Sequence, residues 1–191
     1  MEPLAALLRE EVPGAIVLPY LYGYILGASI ALPVRGRFVR RRAVRNFQKW
    51  VARQLQPLGP DVELDAVGHS FGTHLLHRSM VQEGGFRPFF RRVVYMGGIV
   101  STREKFEQHD DHVEGVLNLF SREDEVVFSC PFGHCGWKGF KNFRMPVADK
   151  SLIGAHGGVF VKQFDMTPLE HEDYTQPGTM AWTRAAEWLK G

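Results

Sequence analysis

Val62-Glu63-Leu64-Asp65-Ala66-Val67-Gly68-His69-Ser70-Phe71-Gly72-Thr73 is the stretch on which the reading of the whole chain turns. Its first six residues alternate valine, leucine and alanine with acids, which suits a strand. Thr73–Val81, with Leu75, Leu76, Met80 and Val81 apolar, then reads as a helix. Between them lies Gly-x-Ser-x-Gly. A serine on so sharp a strand-to-helix turn sits in strained backbone that thrusts its hydroxyl into the open. The chain passes so close to itself there that the positions two before and two after must be nearly free of side chain. Gly68 and Gly72 meet that need. The helix that follows brings N–H groups and a positive dipole end beside the serine, where an oxyanion would form.

In this context the chain resembles the α/β-hydrolase family, whose nucleophile elbow has this pattern between strand and helix. The resemblance covers roughly residues 14–190 and implies a triad in the chain order Ser, Asp or Glu, His. A serine needs a base to take its proton, and an imidazole base needs an acid to hold its tautomer. The run Val113–Phe120 reads as a strand and empties into Ser121-Arg122-Glu123-Asp124-Glu125, which looks like the family's acid turn. Asp124 is the expected acid, with Glu123 and Glu125 as fallbacks. The strand Val159–Phe164 leads to Leu169-Glu170-His171-Glu172-Asp173-Tyr174 ahead of the last helix, so His171 looks like the base. His156 precedes that strand and would emerge at the wrong edge of the sheet. His134 sits in a long loop, and His69 should turn its ring away from the serine hydroxyl. The implied activity is ester cleavage through an acyl-enzyme, by a serine esterase or lipase-like hydrolase acting on a small-molecule or lipid-like ester. The Phe71 N–H is one implied oxyanion donor. Ahead of the elbow there is no His-Gly loop to supply the second, so either the loop around Tyr20 and Tyr22 substitutes or strands ahead of the elbow are missing. The second case favours a non-catalytic protein on a hydrolase scaffold.

The rest of the sequence bounds these expectations. With 191 residues, one α/β domain is expected, built on a doubly wound, mostly parallel sheet that is reduced at its N-terminal side. The formal net charge of +2 does not nominate a nucleic-acid partner. Cys130 and Cys135 make no disulfide framework, which fits a reducing, cytoplasmic setting. With His134 they offer three soft ligands, fewer than a structural zinc site wants, so neither metal nor cofactor is expected.

Residues 3–12 read as a helix, and Ala15–Leu18 as a short strand before Pro19. From Gly14 to Val34 there are 21 residues without a charge, long enough for a membrane span followed by arginines. Pro19, Pro33 and three glycines interrupt it, which favours a strand and loop lining an apolar cleft. Arg35 to Arg45 form a basic run that reads chiefly as a solvated helix start, leading into an amphipathic helix on Val44, Phe47, Val51 and Leu55. Arg92–Met96 reads as a buried strand closed by Gly97-Gly98, residues 129–150 as a long irregular loop, and Thr179–Lys190 as the final helix.

Overall fold

Strands with no polar alternation, such as Val93-Val94-Tyr95-Met96 and Val116-Leu117, need cover on both faces. The computed structural model describes residues 2–20, 33–59, 61–82, 85–104, 106, 111–130, 135–141, 151–156 and 159–191, and supplies that cover. Five strands form one sheet: β1 (Asp65–His69), β2 (Phe90–Met96), β3 (Val113–Phe120), β4 (Ser151–His156) and β5 (Val159–Asp165). Their order is β1-β2-β3-β5-β4. β1, β2, β3 and β5 are mutually parallel, and β4 pairs antiparallel with β5 at one edge. The helices are α1 (Glu2–Glu11), α2 (Pro33–Leu55), α3 (Phe71–Val81), α4 (Glu125–Phe128), α5 (Cys135–Lys138) and α6 (Met180–Lys190). The chain is therefore an α/β protein around a small, mostly parallel sheet.

The expected double winding takes another form. The parallel strands follow one another across the sheet without a reversal of order, and crossovers of one hand then put their connections on one face. That face carries Val93, Tyr95, Val116 and Val161, packed against α2, α3, Phe106 and Phe140. The other carries Val94, Met96, Leu117, Leu119 and Phe164, and α1 and α6 cover it. Lys190 of α6 pairs with Glu11 of α1, and Arg92 donates to the Trp188 and Leu189 carbonyls at the end of α6 (2.9 and 3.1 Å). Such contacts satisfy carbonyls that a helix end leaves open. On the first face a buried polar ladder replaces apolar packing. Asn118 donates to Gln163 Oε1 (3.1 Å) and to the Cys135 carbonyl (3.0 Å), and the Phe140 N–H donates to the same Gln163 oxygen (2.6 Å). It pins residues 135–140 to the middle of the sheet.

Three expectations need correction. Ala15–Leu18 is irregular, with Ile16 66% and Leu18 41% exposed, because no described strand lies beside it to complete a ladder. The 14–34 span is not a single helix: residues 14–20 are irregular, residues 21–32 lie outside the described residues, and α2 begins at Pro33. No helix among the described residues is long and apolar enough to cross a membrane. The basic run, by contrast, is the solvated helix start expected of it: it opens α2, where Arg37, Arg41, Arg42 and Arg45 are exposed. Finally, the 129–150 loop contains α5, whose Gly136 lies flat on the Gly97-Gly98 backbone. Cys130 and Cys135 are free buried thiols, and burial pushes the Cys135 thiol up to about 12.

Candidate active site

Parallel strands in register end together. His69 pairs with Met96, Met96 with Leu119, and Phe120 with Asp165. The ladder runs one residue further, with the Ser70 N–H on the Met96 carbonyl (3.0 Å) and the Gly97 N–H on the Leu119 carbonyl (3.2 Å). Ser70, Gly97, the turn at Ser121–Asp124 and the loop at Met166–His171 thus leave the same carboxyl edge, where open α/β sheets gather ligands.

At the elbow, Ser70 has φ 52° and ψ −119°, and it is the one non-glycine residue with positive φ among the described residues. A Cβ on Gly68 would stand 2.9 Å from the Gly72 carbonyl carbon and 2.9 Å from the Thr73 nitrogen, which explains the glycine two places before the serine. Thr73, fully buried, clamps the turn: its hydroxyl donates to the Ser70 carbonyl (2.6 Å) and accepts from the Ile99 N–H (3.0 Å). Strain of this kind costs about 1–3 kcal/mol. Removing it with glycine costs about 0.4–1 kcal/mol through the freer unfolded chain. Relief of strain outweighs that entropy, so Ser70→Gly should unfold at higher urea than Ser70→Ala, both lacking the hydroxyl. Equal midpoints, or a lower one for glycine, would mean that the turn stores no strain.

Asp124 is fully buried, whereas Glu123 and Glu125 are exposed. Its two oxygens have separate duties. Oδ1 accepts the Val127 N–H (2.8 Å) as the N-cap of α4, and Oδ2 lies 2.9 Å from His171 Nδ1. A carboxylate accepts, so Nδ1 carries the proton and Nε2 keeps its lone pair. The turn and the base loop are tied together, since the Arg122 N–H donates to Thr167 Oγ1 (3.0 Å), which in turn donates to Asp165 Oδ1 (2.6 Å). The pair nests on Gly97 (φ +52°). A Cβ there would come within 2.9 Å of Asp124 Oδ2 and 3.2 Å of His171 Nδ1. Gly136 matches it from behind: its N–H donates to the Gly98 carbonyl (2.8 Å), its carbonyl accepts the Ser121 N–H (2.8 Å), and a Cβ would overlap the Gly97-Gly98 backbone.

Two sequence-derived site residues are thus bonded to each other, and the third leaves the same sheet edge. Asp124 and His171 are bonded, and Ser70 adjoins them through Met96-Gly97 and through His69, whose ring centroid is 4.6 Å from that of His171. Phe71 opens α3, directly after the serine. Tyr20 does not join the group as a side chain, because its ring is held between Phe47 (5.1 Å) and Trp50 (4.9 Å). Tyr22 and His134 lie outside the described residues. His156 pairs with Val159, at the end of β5 opposite Asp165, so it is remote from the serine. His74, one turn into α3, is pushed down to about 3 by burial and by His77, Arg78 and Arg40, and stays neutral.

In the sequence Gly97 reads only as a strand stop, and nothing singles out Thr73 or Gly136. A Gly-Gly pair directly after a strand that precedes the acid turn is the one signal the letters carry. Beside the elbow, a cleft of about 780 Å³ runs from Gly68, His69 and Gly72 down between α1 and α2, lined by apolar groups such as Leu8, Val17 and Trp50. A second cleft, around Arg92, Glu114 and Trp188, lies at the amino ends of the strands and is separate from this site. Comparison with protein-family models, with curated proteins and with solved structures finds no match in any of the three.

Proposed function

We propose that this chain is a serine hydrolase of the α/β-hydrolase type, cleaving a carboxylic ester through an acyl-enzyme with Ser70, His171 and Asp124. The observation that carries the reading is the pairing of a left-handed serine on a strand-to-helix turn with a buried aspartate–histidine couple at the same sheet edge. Ser70 Oγ attacks the ester carbonyl while His171 Nε2 takes its proton, and the leaving alkoxide recovers that proton as the C–O bond breaks. Water then attacks the acyl-serine with His171 again as base, returning the acid and the free enzyme. Asp124 stabilises the imidazolium by the Nδ1–H bond.

The Phe71 N–H at the start of α3 supplies one oxyanion donor, an interaction typically worth on the order of 100-fold or more in rate. The apolar cleft beside the elbow supports an ester with an apolar portion. A fluorophosphonate probe tests the reading. One label per folded molecule is expected, on Ser70, and none on Ser70→Ala. A folded wild type that takes no label would sink the enzyme reading in favour of a non-catalytic protein on the same scaffold.

A further inference from the structure

His69 has no duty in the triad chemistry, yet it engages both the ring and the backbone of the base. Its Nε2 lies 3.0 Å from the His171 carbonyl oxygen. A carbonyl only accepts, so Nε2 carries the hydrogen and the tautomer is fixed with the lone pair on Nδ1. The ring lies over that of His171 at 4.6 Å and faces Tyr174 at 6.1 Å. The rest of the loop is held from the far side. Tyr174 is fully buried, its carbonyl accepts the Trp182 indole N–H (2.7 Å) from α6, and Asp173 closes the turn on the Glu170 N–H (2.8 Å). Among the described residues, His69 provides the side-chain hydrogen bond from the nucleophile's strand to the base's own backbone. It joins the two halves of the proton relay, because the residue that bonds His171 is the immediate neighbour of Ser70.

We infer that His69 is a positioning residue for the catalytic base, holding the His171 loop against the elbow through its imidazole N–H. This rests on the serine-hydrolase reading of the site and deepens it. The bond sets how far His171 Nε2 stands from the serine oxygen, and a misplacement of about 1 Å in such a geometry costs about 100-fold in rate. Burial, and then the neighbouring His171, push His69 down to about 4, so it is uncharged at neutral pH. It therefore donates to the loop without opposing the positive charge that His171 acquires during acylation.

The discriminating variants are His69→Phe, which keeps the ring and loses the donor, and His69→Gln, whose amide nitrogen reaches the place of Nε2. The rate of fluorophosphonate labelling at Ser70 should fall about 100-fold in His69→Phe and recover to within a few-fold of wild type in His69→Gln. Thermal midpoints should stay together, and for a p-nitrophenyl ester kcat should fall while KM does not. A second readout is independent of labelling: the downfield proton resonance of His171 Nδ1–H, assigned by its loss in Asp124→Asn. It should persist in His69→Gln and broaden or vanish in His69→Phe. If the wild type labels and His69→Phe labels equally fast, the positioning role is overturned and the hydrolase reading stands. If the wild type takes no label, the hydrolase reading fails, and the resonance alone decides whether His69 holds the loop: unchanged in His69→Phe, it overturns the inference.

Discussion

Asp124→Asn is expected to lower kcat for ester hydrolysis on the order of 10⁴-fold while the protein stays folded. The size follows from the tautomer. An asparagine side chain could in principle turn its oxygen towards the histidine and keep the right proton in place. Here that rotation is blocked, because Oδ1 already accepts the Val127 N–H as the cap of α4. Turning the amide would aim its N–H₂ at the Val127 N–H, donor against donor, and would cost the cap about 1 kcal/mol. The amide nitrogen must therefore face His171 Nδ1. A donor there forces the imidazole proton onto Nε2, the nitrogen that has to receive the serine proton, and catalysis of this type falls about 10⁴-fold when that happens. Steady-state kinetics with an activated ester, alongside circular dichroism, checks it. A loss below about tenfold would mean that Asp124 does not orient the base in the way its two hydrogen bonds imply.

Gly97→Ala should also be damaging, although Gly97 has no chemistry of its own. Two effects act together. At φ +52° any Cβ costs about 1–2 kcal/mol of backbone strain. The methyl would also stand 2.9 Å from Asp124 Oδ2 and 3.2 Å from His171 Nδ1, wedged against both ends of their hydrogen bond. The strain lowers stability by an amount that a domain of this size tolerates, whereas the wedge parts the acid from the base. A fall in kcat of about 10²-fold or more is expected, with a modest drop in thermal midpoint. The two are separated by measuring both on one preparation. A variant that loses stability and keeps its kcat would show that the pair can shift without harm.

These two residues mark how far the sequence can be read. The elbow is legible because Gly-x-Ser-x-Gly is a local demand: the clash that excludes a side chain at Gly68 is with Gly72 and Thr73, in the same short stretch. β3 is legible to both its ends, since a strand buried on both faces carries apolar residues at successive positions, here Val116-Leu117 and Leu119-Phe120. Asp124 and His171 are within reach because each follows such a strand within a few residues. Glu123 and Glu125 cannot be set aside from the letters, because only the fold shows which carboxylate points inward.

Gly97, Gly136 and His69 are out of reach for one shared reason. Their requirements come from partners far away along the chain: Asp124 and His171 for the first, Gly97-Gly98 for the second, the His171 carbonyl for the third. β4 escapes for a similar reason. Ser-Leu-Ile-Gly-Ala-His has no alternation to announce a strand, and its identity comes from its ladder with β5. Ala15–Leu18 fails in the opposite sense, having strand-like letters and, among the described residues, no ladder to join.

The way α6 is fastened has a mechanical consequence. Its first turn grips the base loop, through Trp182 on the Tyr174 carbonyl, while its last turn is grasped by Arg92 from β2 and by Glu11 from α1. The helix is thus a rod with one end on the backbone of the loop that carries the base and the other on the far rim of the sheet. Loosening the distant grip is therefore expected to be felt at the opposite end, in the loop that carries the histidine.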